Sequence, residues 1–418
     1  MNNLRKNTLY YTFGSIIYFF AQWLMTVLMV KLSGFENAGL LSLAMSVTSA
    51  PSIVTLFNIR NFQVSDVKEQ FISRTYIVSR YFTCILSFII CCGMILVYGY
   101  DMKKTLIILS YMIFKVVEGF ADVYIGIEQK YERLDLAGIS MFIRGIGSIV
   151  VFAIVVYLTD NLILANLLMD VMAVLIVLSI DRRFAERFMR EHESELKQQN
   201  RKDVWNLLYI CLPLAIVSFL NNLSLTVPKL ILEQYHGETI LGIYNSISSP
   251  TLVVQLTAST VFAPWIPILS NFYSTGDKNA FNKTVKKISI LVLGLTVFCM
   301  VSVLLLYKLG LLEWLLVILF AEKIRSYTVW FIPVIIAAIL MAVNACLFSM
   351  CTLMRKIKSQ YLIGLVGIIS CYAFSYYFIP KEPMQGVIIS IMGSAILQII
   401  VQFVIVVIAY RDKWGRKK

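Results

Sequence analysis

The chain has 418 residues, 59% of them hydrophobic and 15% charged, with a mean hydropathy of +0.78. A soluble chain carries about 45–50% apolar and about 25% charged residues, which excludes two or three water-soluble domains as a description of this length. The net charge of +13 sits mostly in short segments between apolar runs, where basic residues orient a membrane protein, so nucleic acid is not an expected partner.

Each helical crossing of a bilayer takes ~20 residues, and the apolar runs divide into twelve predicted spans. Six cover 8–32, 38–60, 75–100, 105–127, 136–158 and 162–180. The first follows Arg5 and Lys6 and is too long for a secretory core, so it reads as a span and not as a signal peptide. A polar linker runs from Asp181 past Arg201 and Lys202 to Asp203. Six further spans cover 205–232, 240–268, 286–306, 330–354, 360–379 and 385–410. Within 307–329, the apolar run Leu311–Phe320 is too short to cross and reads as interfacial or re-entrant. The expected fold is therefore an all-α polytopic membrane protein. It has an N-lobe over 1–180, a cytoplasmic linker over 181–204 and a C-lobe over 205–418.

Orientation follows from the basic residues. The N-terminus, the segments 60–80, 128–135, 270–287 and 355–358, the linker and the C-terminal tail hold most of the 37 Lys and Arg. The opposite side has Lys31, Lys103, Lys104, Lys308, Lys323, Arg325 and Lys381. This asymmetry places both termini in the cytoplasm. All eight cysteines fall in apolar runs, so no disulfide framework is implied. His192 and His236 stand in separate predicted loops without Cys, Asp or Glu at ligand spacing, and no metal site is expected.

The two halves echo each other. Gly34-Phe-Glu-Asn-Ala-Gly39 follows the first span and Gly237-Glu-Thr-Ile-Leu-Gly242 the seventh, and each leads into a Ser-rich span with a proline, Pro51 and Pro250. Six spans per half is an even number, so the halves enter the membrane the same way. They read as parallel repeats, with a substrate site expected between them.

Polar side chains are costly in hydrocarbon, so their pattern carries information. Thr12, Ser15, Gln22 and Thr26 share one face of the first span, and Ser42, Ser46 and Ser49 one face of the second. The seventh shows Ser218, Asn222, Thr226 and Lys229 with Asn221 beside them; the eighth shows Asn245 and Ser249, then Gln255, Ser259 and Thr260. Two readings stand: helix-to-helix contacts worth ~0.6 kcal/mol each, or a hydrated cavity offering donors and acceptors to a polar ligand. Charges add Lys115, Glu118 and Asp122 on one face of the fourth span, Arg144 in the fifth and Asp170 in the sixth. Glu118 and Arg144 lie at nearly equal depth, which predicts a buried ion pair with Asp122 or Asp170 as second partner. The same carboxylates are also candidates for binding a coupling cation, H⁺ or Na⁺. Five of the nine prolines (Pro213, Pro228, Pro250, Pro264, Pro267) fall in spans seven and eight, as hinges or static kinks. Gly145-x-Gly147 lies within an apolar helix, no phosphate-loop lysine motif exists, and neither an enzyme nor a cofactor is expected.

Several stretches carry a resemblance. Asn7-Thr-Leu-Tyr-Tyr-Thr-Phe-Gly14 with Lys31-Leu-Ser-Gly-Phe-Glu-Asn-Ala-Gly39 resembles the opening of bacterial polysaccharide exporters, the Wzx-type O-antigen and capsule flippases. Arg60-Asn-Phe-Gln-Val-Ser-Asp66, the stretch from Gly126 through Arg133-Leu-Asp135 to Arg144, and Pro228-Lys229 leading to Gly237 and Gly242 are similar to that family too. The resemblance implies the MATE/MOP flippase fold, two six-helix lobes forming a V around a cavity. It also implies export of an undecaprenyl-pyrophosphate-linked oligosaccharide. Lys31, Gln22, Thr26, Ser46, Arg144, Asn221, Asn222, Lys229 and Asn245 would then line the cavity, and Glu118, Asp122 or Asp170 would couple an ion. Expected partners are the lipid-linked substrate, membrane lipids and, as candidates, a glycan polymerase and glycosyltransferases around a monomer. A cation-coupled multidrug antiporter and a non-transporting scaffold of a glycan-assembly complex are the alternative readings.

Overall fold

The computed structural model of the protein describes residues 2–66, 70–191, 200–251, 254, 258, 261–262 and 265–414. In chain order the helices are α1 (Asn2–Leu56), α2 (Ile59–Ser65), α3 (Ser73–Tyr98), α4 (Met102–Lys130), α5 (Leu134–Thr159) and α6 (Leu162–Ile176). A π-helical turn, Val177–Asp181, joins α6 to α7 (Arg182–Glu191), and α8 covers Arg201–Ser248. Then come α9 (Trp265–Thr275), α10 (Lys278–Lys308), α11 (Leu311–Phe320), α12 (Phe331–Leu353), α13 (Ile357–Phe378) and α14 (Pro383–Trp414).

Among the described residues, nine helical stretches are long and apolar enough to cross a membrane. Two of them, Leu9–Val64 and Arg201–Thr251, have 56 and 51 residues, double the length of one crossing. Counting each twice and adding α4, whose charges lower its hydropathy, recovers the twelve crossings read from the sequence. The short helix α11 has 10 residues and runs into a 3-10 segment, Glu322–Trp330.

Each double-length helix folds at a glycine. Gly34 has φ 83 and ψ −179, and Gly237 has φ 79 and ψ 174. This region of backbone space is essentially closed to residues with a Cβ. The glycine pairs that suggested a repeat thus mark the same backbone event in both halves. Elsewhere the helix ends follow local chemistry. Gly99, with positive φ, closes α3 by donating its N–H to the Ile95 carbonyl. The side chains of Asp101, Asn161 and Asp277 accept backbone N–H groups at the starts of α4, α6 and α10.

The first half of the linker is helical. Residues 181–191 continue α6 through the π turn into α7, and only Asn200 and the start of α8 follow among the described residues. The cause is the periodicity of Arg182–Glu191, whose Arg182–Glu186 and Arg187–Glu191 pairs sit one turn apart and support a helix.

The chain divides into two compact units, Met1–Asn222 and Leu223–Lys418. In the first, α1 packs against α5, α4 and α3, and α6 packs against α5 and α4. Glycines set the closest approach. A Cβ on Gly14 would run into the Gly138 carbonyl, one on Gly138 into the Tyr10 backbone, and one on Gly145 would stand 2.8 Å from the Tyr18 Cα. In the second unit, α14 packs against α13 and α12. Its core joins Leu269, Phe281, Ile288, Met350 and Ala409, flanked by Tyr273, Tyr410 and Trp414. Outward faces carry exposed Leu, Val and Phe, such as Leu96, Val97 and Phe298, as expected where lipid is the solvent.

Candidate functional site

The polar interior of the first unit begins where α1 stops. The helix ends at Leu56, and Phe57 and Asn58 both adopt left-handed backbone, a pairing uncommon without glycine. The Thr55 carbonyl is thereby one of the terminal acceptors of the helix. Arg80 of α3 donates Nη1 to it, and Thr83 Oγ1 donates at 2.9 Å. Arg80, fully buried, also donates Nη2 to Asp122 Oδ2 of α4 at 2.9 Å. Asp122 Oδ1 faces a second cation, Arg60 of α2, at 3.5 Å. Arg60 in turn donates Nη2 to Tyr11 OH at 3.0 Å and to Gln129 Oε1 at 2.9 Å. One carboxylate therefore stands between two guanidinium groups. Beside it opens a cavity of about 570 Å³, with Asn58, Arg60, Asn61, Asp122 and Gln129 as polar lining and Leu56 and Val64 as apolar walls.

Further along α4, Lys115 Nζ donates to Glu118 Oε2 at 2.6 Å, one helical turn away. Tyr18 of α1 donates its hydroxyl to Glu118 Oε1. The other face of Tyr18 meets Arg144 of α5, whose guanidinium lies 5.3 Å from the ring centroid. The expected direct Glu118–Arg144 ion pair does not form, though the two groups interact electrostatically. Tyr18 stands between the two, and Lys115, on the same helix as Glu118, takes the carboxylate. Arg144 is nearly buried, and its Nε and Nη1 have no hydrogen-bond partner among the described residues. Asp122, offered as a second partner for Arg144, instead belongs to Arg60 and Arg80.

Asp170 of α6 is a separate feature. Both its oxygens are buried without a hydrogen-bond partner among the described residues, as is Asn166 Oδ1 one turn earlier. Asn166 Nδ2 donates to Ser110 Oγ of α4 at 3.0 Å. Glu128 near the end of α4 and Asp181 at the end of the π turn are likewise fully buried, with the Ser140 hydroxyl of α5 beside Asp181. Both interact electrostatically with Arg144.

The chain as a whole is similar to known proteins. Residues 4–273 match the family described as "Polysaccharide biosynthesis protein". The chain belongs to that family. It is 27% identical to the capsular polysaccharide biosynthesis protein CapF of Staphylococcus aureus, across 97% of this chain and 98% of CapF. A mutant of the Vibrio cholerae MATE transporter VcmN superposes with a TM-score of 0.65 at 12% identity, covering 98% of this chain and 97% of VcmN. A MOP superfamily transporter from Pyrococcus furiosus superposes with a TM-score of 0.61 at 11% identity, covering 98% and 96%. At such identities the solved structures speak for the fold, which is the MATE fold. The apolar helices and the fold are those of a multi-pass membrane protein, and the family links it to polysaccharide biosynthesis.

Within this member of the polysaccharide family, the residues expected to line a cavity have varied settings. Ser46, buried, donates to the Ser42 carbonyl at 2.8 Å. Ser49 donates to Asn222 Oδ1 at 3.0 Å, and Asn58 Nδ2 to Ser218 Oγ at 2.9 Å. Those two contacts join the stripes of the second and seventh predicted spans directly. Thr26 is buried, Lys31 is exposed, and Gln22, Asn221, Lys229 and Asn245 are half-buried. Gln255, Ser259, Thr260, Pro264 and His192 lie outside the described residues. His236 is helical, not in a loop, with Nε2 2.7 Å from the Ile379 carbonyl.

Arg60, Arg80, Glu128 and Asp181 were not singled out from the sequence. Arg60 and Arg80 read as cytoplasmic, orienting charges, and Asp181 as linker. For Arg80 a signal existed: it falls inside the predicted span 75–100 and shares a helical face with Thr83, Cys84 and Ser87. Glu233 is a similar omission. It lies one residue beyond the predicted span 205–232, yet α8 continues through it and buries it.

Proposed function

We propose that this protein is a flippase, moving an undecaprenyl-pyrophosphate-linked oligosaccharide from the cytoplasmic to the outer leaflet of a bacterial plasma membrane by alternating access. The observation that carries the proposal is Arg144, a guanidinium inside the spanning region whose Nε and Nη1 have no acceptor among the described residues. Its family makes polysaccharide and its fold is that of transporters. A pyrophosphate is the part of such a substrate that a planar, permanently charged donor recognises best. CapF, the capsular relative, makes a capsule repeat unit a fitting cargo. For coupling to H⁺ or Na⁺ we favour Asp170, whose buried oxygens have no hydrogen-bond partner among the described residues. Glycosyltransferases that load the lipid and a polymerase that receives the product are the partners this reading requires.

Replacing Arg144 by alanine is expected to lower glycan export in cells at least tenfold with normal protein levels, and lysine to restore part of it. The measurement is surface glycan against membrane-fraction protein. Unchanged export in the alanine variant would remove Arg144 from transport.

A further inference from the structure

We propose that the cavity between α1, α2 and α4 is a phosphate-docking site that works by exchange. A phosphate group takes Arg60 away from Asp122, and Asp122 keeps Arg80. The inference rests on the transport reading above and adds a second phosphate contact for that substrate, separate from Arg144, which does not line this cavity.

The two guanidinium groups on Asp122 are not equivalent. Arg80 is sealed from solvent and bonded at 2.9 Å, with the Thr55 carbonyl as its other acceptor. Arg60 is 23% exposed, lies at 3.5 Å and lines the cavity. The second contact is too long for a good hydrogen bond, and partial solvation weakens its Coulomb attraction. Breaking it leaves no buried charge unpaired, because Asp122 retains Arg80. With Asp122 ionised, the three groups carry a net charge of +1; the buried carboxyl of Glu128 also interacts with Arg60, so an oxyanion entering the cavity competes with two carboxyl groups for that guanidinium.

The surroundings suit an oxyanion. The amide side chains of Asn58, Asn61 and Gln129 share the lining, and amide N–H groups donate to phosphate oxygens. Gln129 and Tyr11 already hold Arg60 by its Nη2, which orders the guanidinium and lowers the entropy lost on binding. The left-handed pair Phe57–Asn58 places Asn58 at the rim, and backbone of this kind concentrates at binding sites. A volume of about 570 Å³ falls within the usual range of ligand pockets.

The test uses the full chain in phosphatidylcholine nanodiscs, titrated calorimetrically with sodium pyrophosphate, farnesyl diphosphate and citrate. Wild type is expected to bind a diphosphate, and Arg60→Ala to bind it at least tenfold more weakly. Asn61→Ala, which leaves every buried charge in place, is expected to weaken binding severalfold. Asp122→Asn, where it folds, should bind severalfold more tightly because the competing carboxylate has lost its charge. Equal binding of pyrophosphate and farnesyl diphosphate shows a site that reads the phosphates alone; Arg60-dependent binding of the prenylated form only shows a lipid-linked ligand. Either supports the proposal. Diphosphate binding within twofold of wild type in Arg60→Ala, citrate bound as tightly as diphosphate, or no binding of either diphosphate overturns it. Export of the glycan in cells is scored separately. A chain that exports without Arg60-dependent binding sinks the docking site alone, and Arg60-dependent binding in a chain that exports nothing sinks the transport reading alone.

Discussion

Replacing Asp122 by alanine is expected to remove most of the folded protein, and replacing Arg80 by methionine in the same chain to bring it back. Arg80 is entirely inaccessible, and its charge is answered by Asp122 at 2.9 Å and the Thr55 carbonyl. With Asp122 gone, a guanidinium is left buried with only neutral partners. Stranding one member of a buried pair costs about 3–5 kcal/mol, a large part of the roughly 5–15 kcal/mol that holds a typical domain together. Methionine fills much of the same volume without a charge, so the double variant removes the unpaired ion together with its partner. The measurement is the folded fraction in detergent by size exclusion, followed by thermal stability. An Asp122→Ala protein as stable as wild type would show that the ion pair has little structural weight. The double variant separates fold from function as well. It keeps Arg60 but lacks the carboxylate that opposes it.

What the sequence made legible, and what it did not, follows from the range of the interactions. Twelve crossings and the repeated glycine pairs could be read because hydropathy and spacing are properties of the chain alone. That Gly34 and Gly237 fold the backbone through their own φ and ψ is a conformational fact the spacing does not contain. The charge pairing could not be read this way. Helical spacing put Lys115, Glu118 and Asp122 on one face of α4, and Lys115 does pair with Glu118, yet the other partners of the two carboxylates come from α1, α2 and α3. Depth along two antiparallel helices suggested Glu118 with Arg144, and it took no account of a third helix placing Tyr18 in between. Arg80 was hidden by a rule that works on average. Basic residues at span ends orient the chain, but this one turns inward because the end of α1 presents it with a carbonyl and α4 with a carboxylate. The polar stripes illustrate the same limit, since Ser49 and Asn222 hydrogen-bond each other, and no periodicity within one helix reveals the partner.

Gly138→Val is expected to abolish the folded protein, whereas Gly93→Ala in α3 should leave it intact or slightly stabilise it. Both glycines are helical, so intrinsic propensity favours either substitution, by about 0.5–1 kcal/mol for alanine. Their surroundings differ. A Cβ on Gly93 meets nothing within 4 Å, while one on Gly138 collides with the backbone of Tyr10 and stands 2.7 Å from the Tyr11 amide nitrogen. Backbone atoms of a packed helix cannot rotate away, so α1 and α5 must separate. In a membrane, close van der Waals contact between small residues is a main source of helix association, and valine here forfeits it along the Gly14–Gly138–Gly145 line. A cost of several kcal/mol is expected, beyond the usual ~1–3 kcal/mol of overpacking, read as lost monodisperse protein. Gly138→Ala gives the graded case. Its smaller displacement of α1 should be survivable but should shift Tyr18, which sits on α1 between Glu118 and Arg144. Export is then expected to fall more than folded protein does. Export that tracks folded protein one for one would show that the helix contact matters for assembly and not for positioning Tyr18.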